Sequence, residues 1–137
     1  MALQHLTLTP AQRAQMIAHV RRHAPEEACG ILAGTAGRVV SVHPVENIRH
    51  SPVAYEMDPE QQLQTMESLE AAGLDIVGIF HSHPAGPPVA SPTDLRQAYY
   101  PDSVYVILAP AGHGDWGLRG FLLANGRAEE VKLTVAE

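Results

Sequence analysis

Only one cysteine, Cys29, stands in these 137 residues. That excludes an internal disulfide and a cysteine-built zinc cage, and it fits a reducing compartment. Basic residues are scarce too: nine Lys and Arg stand against fifteen Asp and Glu, for a formal net charge of −6. Nucleic-acid binders need basic stripes to displace counterions from phosphates, so neither DNA nor RNA is expected as a partner. No apolar run approaches the ~20 residues that span a bilayer. Gln4, His5, Gln12, Arg13 and Gln15 interrupt any secretion-type apolar segment near the start. No membrane partner is expected, and the expected location is the cytoplasm. Eleven glycines and eleven prolines provide many turns but fall short of a low-complexity composition. A hydrophobic fraction of 45% suits a globular chain, and this length buries roughly two thirds of its unfolded surface. One domain over residues 1–137 is expected. Histidine is what the chain has in quantity: eight, two of them one residue apart.

Thr9-Pro10 reads as an N-cap followed by proline at the first helical position, with a helix to His23 whose apolar face holds residues 14, 17, 18 and 20. Ala28 to Ala33 is an apolar strand, and Arg38 to His43 pairs back on it as a hairpin across the Gly34–Gly37 turn. Residues 44–54 read as a loop. Asp58-Pro59 repeats the cap signature, and Glu60 to Ala72 is a helix facing inward through Leu63, Met66 and Leu69, stopped by Gly73. Asp75 to Phe80 is apolar enough for a central strand. An irregular proline-rich loop follows from His81 to Ser91, then a short helix from Pro92 to about Tyr99. Ser103–Leu108, Trp116–Ala124 and Glu129–Val135 are further strands, the last two joined at Asn125-Gly126. The pattern is a mixed α/β chain of the α+β type, with a largely antiparallel, hairpin-connected sheet flanked by helices.

The chemistry concentrates after Phe80. Residues i and i+2 of an extended chain point to one side roughly 6.5–7 Å apart, so His81 and His83 can converge on one cation. Ser91-Pro92-Thr93-Asp94 is a good helix start by itself, and the same cap aims a carboxylate back at the histidine pair. Two histidines and one aspartate leave a fourth zinc position open, as catalytic sites do. A zinc hydrolase also needs a base that takes a proton from water. Glu26 and Glu27 both precede the first apolar strand, on opposite faces, and spacing does not choose between them. Cys29 has no neighbour that would lower its pKa and reads as a buried strand residue. His113 reads as a turn residue, Trp116 as core, and His5, His19, His23, His43 and His50 as surface positions. Gly-x-Ser-x-Gly, His-Glu-x-x-His and phosphate-loop motifs are absent.

His81-Ser82-His83-Pro84, six residues, then Ser91-Pro92-Thr93-Asp94 resembles the H-x-H-P-x6-S-x2-D signature of the JAMM/MPN+ metallopeptidases, compact prokaryotic type. Glu27-Ala28-Cys29-Gly30 resembles that family's glutamate-x-x-glycine element, and the likeness runs from about Leu3 to Val135. The resemblance implies the JAMM/MPN, cytidine deaminase-like architecture with a curved sheet. It implies His81, His83 and Asp94 as ligands of one Zn2+ per chain. Glu27 would be the general base for the zinc-bound water, and Ser91 would hydrogen-bond the oxyanion. Ser82, between the ligands, points the other way and is left out of the chemistry.

The activity implied is a zinc-dependent peptidase or isopeptidase. Its expected partner is a ubiquitin-fold protein, a sulfur carrier or a modifier, cut directly after a C-terminal Gly-Gly. Two alternatives carry different observables. A catalytically silent scaffold of this fold would hold no zinc, and a zinc hydrolase of another small amide would ignore protein tails.

Overall fold

The computed structural model describes residues 5–136; Leu3 and Gln4 lie outside them. Among the described residues, seven strands and three helices follow in the order β1 (His5–Leu8), α1 (Pro10–His23), β2 (Cys29–Thr35), β3 (Arg38–Val45), α2 (Pro59–Ala71), β4 (Asp75–Ser82), α3 (Pro92–Arg96), β5 (Val104–Gly112), β6 (Asp115–Ala124) and β7 (Arg127–Val135). The sheet closes as a barrel in the order β1-β3-β2-β4-β5-β6-β7. Hairpin neighbours pair antiparallel, while β4 and β5 run parallel across the α3 connection. The expected α+β architecture with a largely antiparallel curved sheet is met, and the curvature runs to closure.

Closure depends on β1, which no residue pattern marks. Four residues long, it pairs parallel with β7 from His5↔Lys132 to Leu8↔Val135 and touches β3 at Thr7↔Arg38. A strand this short carries too little alternation to be recognised by itself; two waiting edges define it.

Two apolar clusters lie on opposite faces of the strands. One joins Leu6, Leu8, Leu32, Phe80, Val106 and Leu108 to Met16 and Val20 of α1. The other joins Cys29, Ile31, Ile79, Tyr105 and Ile107 to Leu69 of α2, with Leu95 of α3 against it. Adjacent strand residues point oppositely, which is why Phe80 and Ile79 serve different cores.

Helix α1 starts as expected. Thr9 Oγ1 accepts from the Gln12 amide at 3.1 Å, and Gln12 Oε1 accepts from the Thr9 amide at 2.9 Å. Its inward face is corrected, however: Gln12, Met16, His19 and Val20 are buried, while Ala14 and Ala18 are exposed. Gln12 takes its place inside by donating to Val39 O at 2.9 Å, and His19 bonds Cys29 O through Nε2 at 3.0 Å. His19 is therefore not a surface residue. A satisfied polar side chain can occupy a core stripe that hydrophobicity alone gives to alanines.

Helix α2 is corrected similarly. Only Leu69 is buried; Leu63 and Met66 are exposed. Its half-buried face is amide-rich, with Gln61 accepting from Glu46 N at 2.8 Å and Gln62 donating to Tyr100 Oη at 2.8 Å. Asp58 makes no side-chain cap bond, and α3 ends at Arg96 rather than Tyr99.

Candidate metal centre

β4 runs two residues past Phe80, so His81 and Ser82 still belong to the ladder and the irregular segment begins only at His83. The antiparallel register of β2 on β4 sets Cys29 across from His81 and Gly30 across from Phe80. Continued by two residues, that register brings Glu27 opposite His83, on the face that carries both imidazoles. Backbone bonds agree, since Ser82 N donates to Ala28 O at 3.0 Å. Ser82 Oγ accepts from Ala28 N at 2.9 Å, so the residue between the two histidines clamps the backbone next to Glu27. Pairing chooses between the two glutamates. Glu27 is buried at 4% exposure beside His83, whereas Glu26 faces His50 at 3.3 Å near the surface.

Gly30 serves this packing. A Cβ there would lie 2.3 Å from Phe80 Cε1 and 2.7 Å from His43 O, so only glycine lets β2 lie flat against β4 beside the Phe80 ring.

Asp94 arrives from α3. Ser91 Oγ accepts from the Asp94 amide at 3.0 Å, and the Ser91 amide donates to Asp94 Oδ2 at 2.8 Å, a reciprocal capping box. The cap turns the carboxylate inward, with Oδ1 3.2 Å from His81 Nε2 and Oδ2 3.0 Å from His83 Nε2. The two histidine Nε2 atoms stand 3.0 Å apart, and Glu27 Oε2 lies 4.0 Å from His83 Nε2. All five residues singled out in the sequence, Glu27, His81, His83, Ser91 and Asp94, thus meet at the end of β4.

The donor set suits a cation. His83 Nδ1 lies 2.8 Å from Pro87 O, which accepts its proton; Gly86, at φ 69°, makes the turn that aims this carbonyl. The ring's Nε2 lies 3.0 Å from both His81 Nε2 and Asp94 Oδ2. Two ring nitrogens that close, facing one carboxylate, gather where a positive charge is favoured. Glu27 Oε1 and His81 Nδ1 are buried without a hydrogen-bond partner, and donor atoms of Glu27, His81 and His83 lie within 4.8 Å of one another. A divalent metal fits this gathering of imidazole nitrogens and carboxylate oxygens.

The carboxylates differ in the way acid–base chemistry needs. Burial by itself raises Asp94, but hydrogen bonds with His81 and His83 outweigh it and hold the carboxyl well below the usual range. Glu27 is pushed up to about 7 by burial, with His83 pulling the other way and Asp94 adding to the rise. Burial pushes His81 down, against the bond to Asp94. It also opposes protonation of His83, yet contacts with Asp94 and Pro87 O leave that ring raised. Asp94 is a fixed anion, and Glu27 is poised to exchange a proton near neutral pH. Cys29 is fully buried and pushed up to about 12 by burial, which leaves it no nucleophilic role.

A family model described as prokaryotic homologs of the JAB domain matches residues 9–119. The chain belongs to this family. It is a compact prokaryotic member of the JAMM/MPN group to which the H-x-H-P motif pointed. A desampylase of Haloferax volcanii is 43% identical over 119 residues, covering 82% of this chain and 86% of the relative. A CysO-cysteine peptidase of Mycobacterium bovis is 36% identical over 124 residues, covering 89% and 85%. The solution structure of a Desulfitobacterium hafniense protein superposes with a TM-score of 0.87 at 35% identity, covering 96% of this chain and 93% of that one.

Two supporting residues of this JAB-family site went unnoticed in the sequence. Asn47, buried in what reads as a plain loop, donates to Glu27 O at 2.9 Å and Ala54 O at 3.1 Å, and its Oδ1 accepts from the Arg49 and Glu56 amides. It ties the loop to the backbone of Glu27. Tyr55 stacks on His81 with ring centroids 4.6 Å apart. An Asn in a segment rich in proline and serine was the one available signal for the first; nothing local marks the second.

Proposed function

We propose that this chain is a zinc-dependent metallopeptidase or isopeptidase that hydrolyses the bond after the C-terminal Gly-Gly of a ubiquitin-fold sulfur carrier or modifier. The observation that carries the reading is the convergence of His81, His83 and Asp94 beside a buried Glu27 whose carboxyl titrates near 7. Relatives named for desampylation and for peptidase action on CysO-cysteine support the substrate class. The closed barrel through residues 5–136 supports reading the chain as one JAMM/MPN+ domain. No helix among the described residues is long and apolar enough to cross a membrane, and a lone buried thiol suits the reducing cytoplasm.

In this reading His81, His83 and Asp94 hold one Zn2+, which supplies Lewis acidity when bound. Glu27 takes the proton of the attacking water and returns it to the leaving amine. The Ser91 hydroxyl, whose oxygen already accepts from the Asp94 amide, keeps its own proton to donate to the developing oxyanion. The segment from Pro84 to Ala90 forms a stiff wall beside the centre, where a tail without side chains approaches most closely. Five converging side chains disfavour the silent scaffold.

The test is mass spectrometry of a ubiquitin-fold protein extended by one residue after Gly-Gly. Cleavage directly after the second glycine is expected, abolished by chelator and restored by zinc. Replacing that glycine with valine should block it. Efficient cutting of the valine form, or of unstructured peptides with no glycine pair, defeats the substrate class.

A further inference from the structure

We infer that Arg119 is a positioning residue for the metal centre: paired with Glu130, it braces the segment from Pro84 to Ala90 and so holds the carbonyl that aims the His83 ring. The inference rests on the metal centre proposed above and adds a part supplied by β6 and β7, which carry none of the five converging residues. The segment needs such a brace. Three of its seven residues, Pro84, Pro87 and Pro88, have no amide proton to donate. Among the described residues its one backbone bond, from Gly86 N to His83 O at 2.8 Å, closes a turn and ties nothing to the barrel. What holds the segment must therefore donate to its carbonyls. His83 Nδ1 donates to Pro87 O at 2.8 Å, and Arg119 Nη1 donates to Pro88 O at 3.3 Å. Adjacent carbonyls thus link a histidine of the metal centre to an arginine of β6.

Strand register puts Arg119 where it can do this. Cys29, His81, Ile107 and Arg119 form one row across β2, β4, β5 and β6, so the arginine stands in the row of His81, two strands or roughly 10 Å away. Cys29, Ile107 and Phe121 pack in one cluster, and Arg119, two residues before Phe121, shares their face. Its guanidinium is held from two sides. Nε and Nη2 donate to Glu130 Oε2 and Oε1 at 2.9 and 2.7 Å, and Cζ lies 5.3 Å from the centre of the Phe121 ring. That fixes the fork and leaves Nη1 for Pro88 O. Side-chain exposures of 40% and 50% mean that the ion pair adds little stability; what a bidentate fork supplies is direction. If Pro88 is released, Pro87 beside it loosens too. His83 then loses the acceptor that fixes which ring nitrogen faces the cation.

The experiment compares wild type with Arg119→Ala and Glu130→Gln. Zinc affinity, measured by competition with a coloured chelator, should fall roughly three- to tenfold in Arg119→Ala, at or below the loss typical of a ligating histidine's direct partner. Glu130→Gln should lose in the same direction, by less. In the zinc-free chain, NMR should show the His83 Nδ1 proton exchanging with solvent several-fold faster in Arg119→Ala. Both variants should nevertheless melt within about 3 °C of wild type without zinc, since the pair is a surface one. In cleavage, kcat should drop while KM stays near wild type. Wild-type zinc affinity and ring-proton exchange in Arg119→Ala would overturn the brace. So would a loss of affinity that merely accompanies a melting point lowered well beyond that margin. A raised KM with zinc affinity unchanged would make Arg119 a substrate contact instead, which also refutes it. A wild type that binds no zinc refutes the proposed function, and ring-proton exchange, which needs no metal, still decides the brace.

Discussion

Replacing Glu27 by Gln should stabilise the metal-free chain at alkaline pH while abolishing its activity. The carboxyl is buried, and Oε1 has no hydrogen-bond partner. Its ordinary value is 4.5 and here it titrates at about 7, so folding disfavours its charged form by about 3 kcal/mol. The sign follows from linkage. A carboxyl raised on folding contributes most below 4.5, and its contribution falls as pH rises through about 7. Glutamine keeps the shape and never ionises. Wild type and Glu27→Gln should therefore melt together near pH 4. At pH 8 with chelator the variant should melt higher by roughly 5–10 °C, given about 3 °C per kcal/mol at this chain length. With zinc restored the gap should shrink, because a cation offsets the buried charge. Thermal unfolding at both pH values, with and without chelator, measures this. A gap equal at pH 4 and pH 8, or a lower melting point for the variant at pH 8, refutes the desolvation argument. Activity supplies the complement: Glu27→Gln should lose ~10²-fold or more, while Glu26→Gln, altering a residue that faces His50, should lose little.

Asp94→Ala should lower zinc content sharply on equilibrium dialysis, since it leaves two histidines; full retention of zinc would reduce Asp94 to a helix cap. Ser91→Ala should keep zinc yet lose about 10²–10³-fold in kcat, the usual worth of one oxyanion donor. Its helix start should weaken by about 1 kcal/mol. A Ser91→Ala chain that melts lower but turns over normally would assign the hydroxyl to capping only.

Motif spacing marked the histidines and the aspartate that converge at the end of β4. The order H-x-H-P, six residues, S-x-x-D is local, and its geometry is local too: extended backbone sets the two imidazoles on one side, and the Ser91–Asp94 cap turns its own carboxylate. Most strands and both long helices were readable for the same reason, since alternation and capping act over a few residues. What failed depended on distant partners. β1 exists because β7 and β3 each offer it an edge. His19 and Gln12 are inside because Cys29 O and Val39 O accept from them across the fold, and Leu63 and Met66 are outside because amide side chains hold α2 instead. The choice of Glu27 over Glu26 did not fail, but strand spacing left it open and only the likeness of Glu27-Ala28-Cys29-Gly30 to the family's glutamate-x-x-glycine element made it. In the structure the register of β2 on β4 buries Glu27 beside His83 and leaves Glu26 near solvent. Register is a property of two paired strands, and a slip of one residue would exchange the faces of both glutamates.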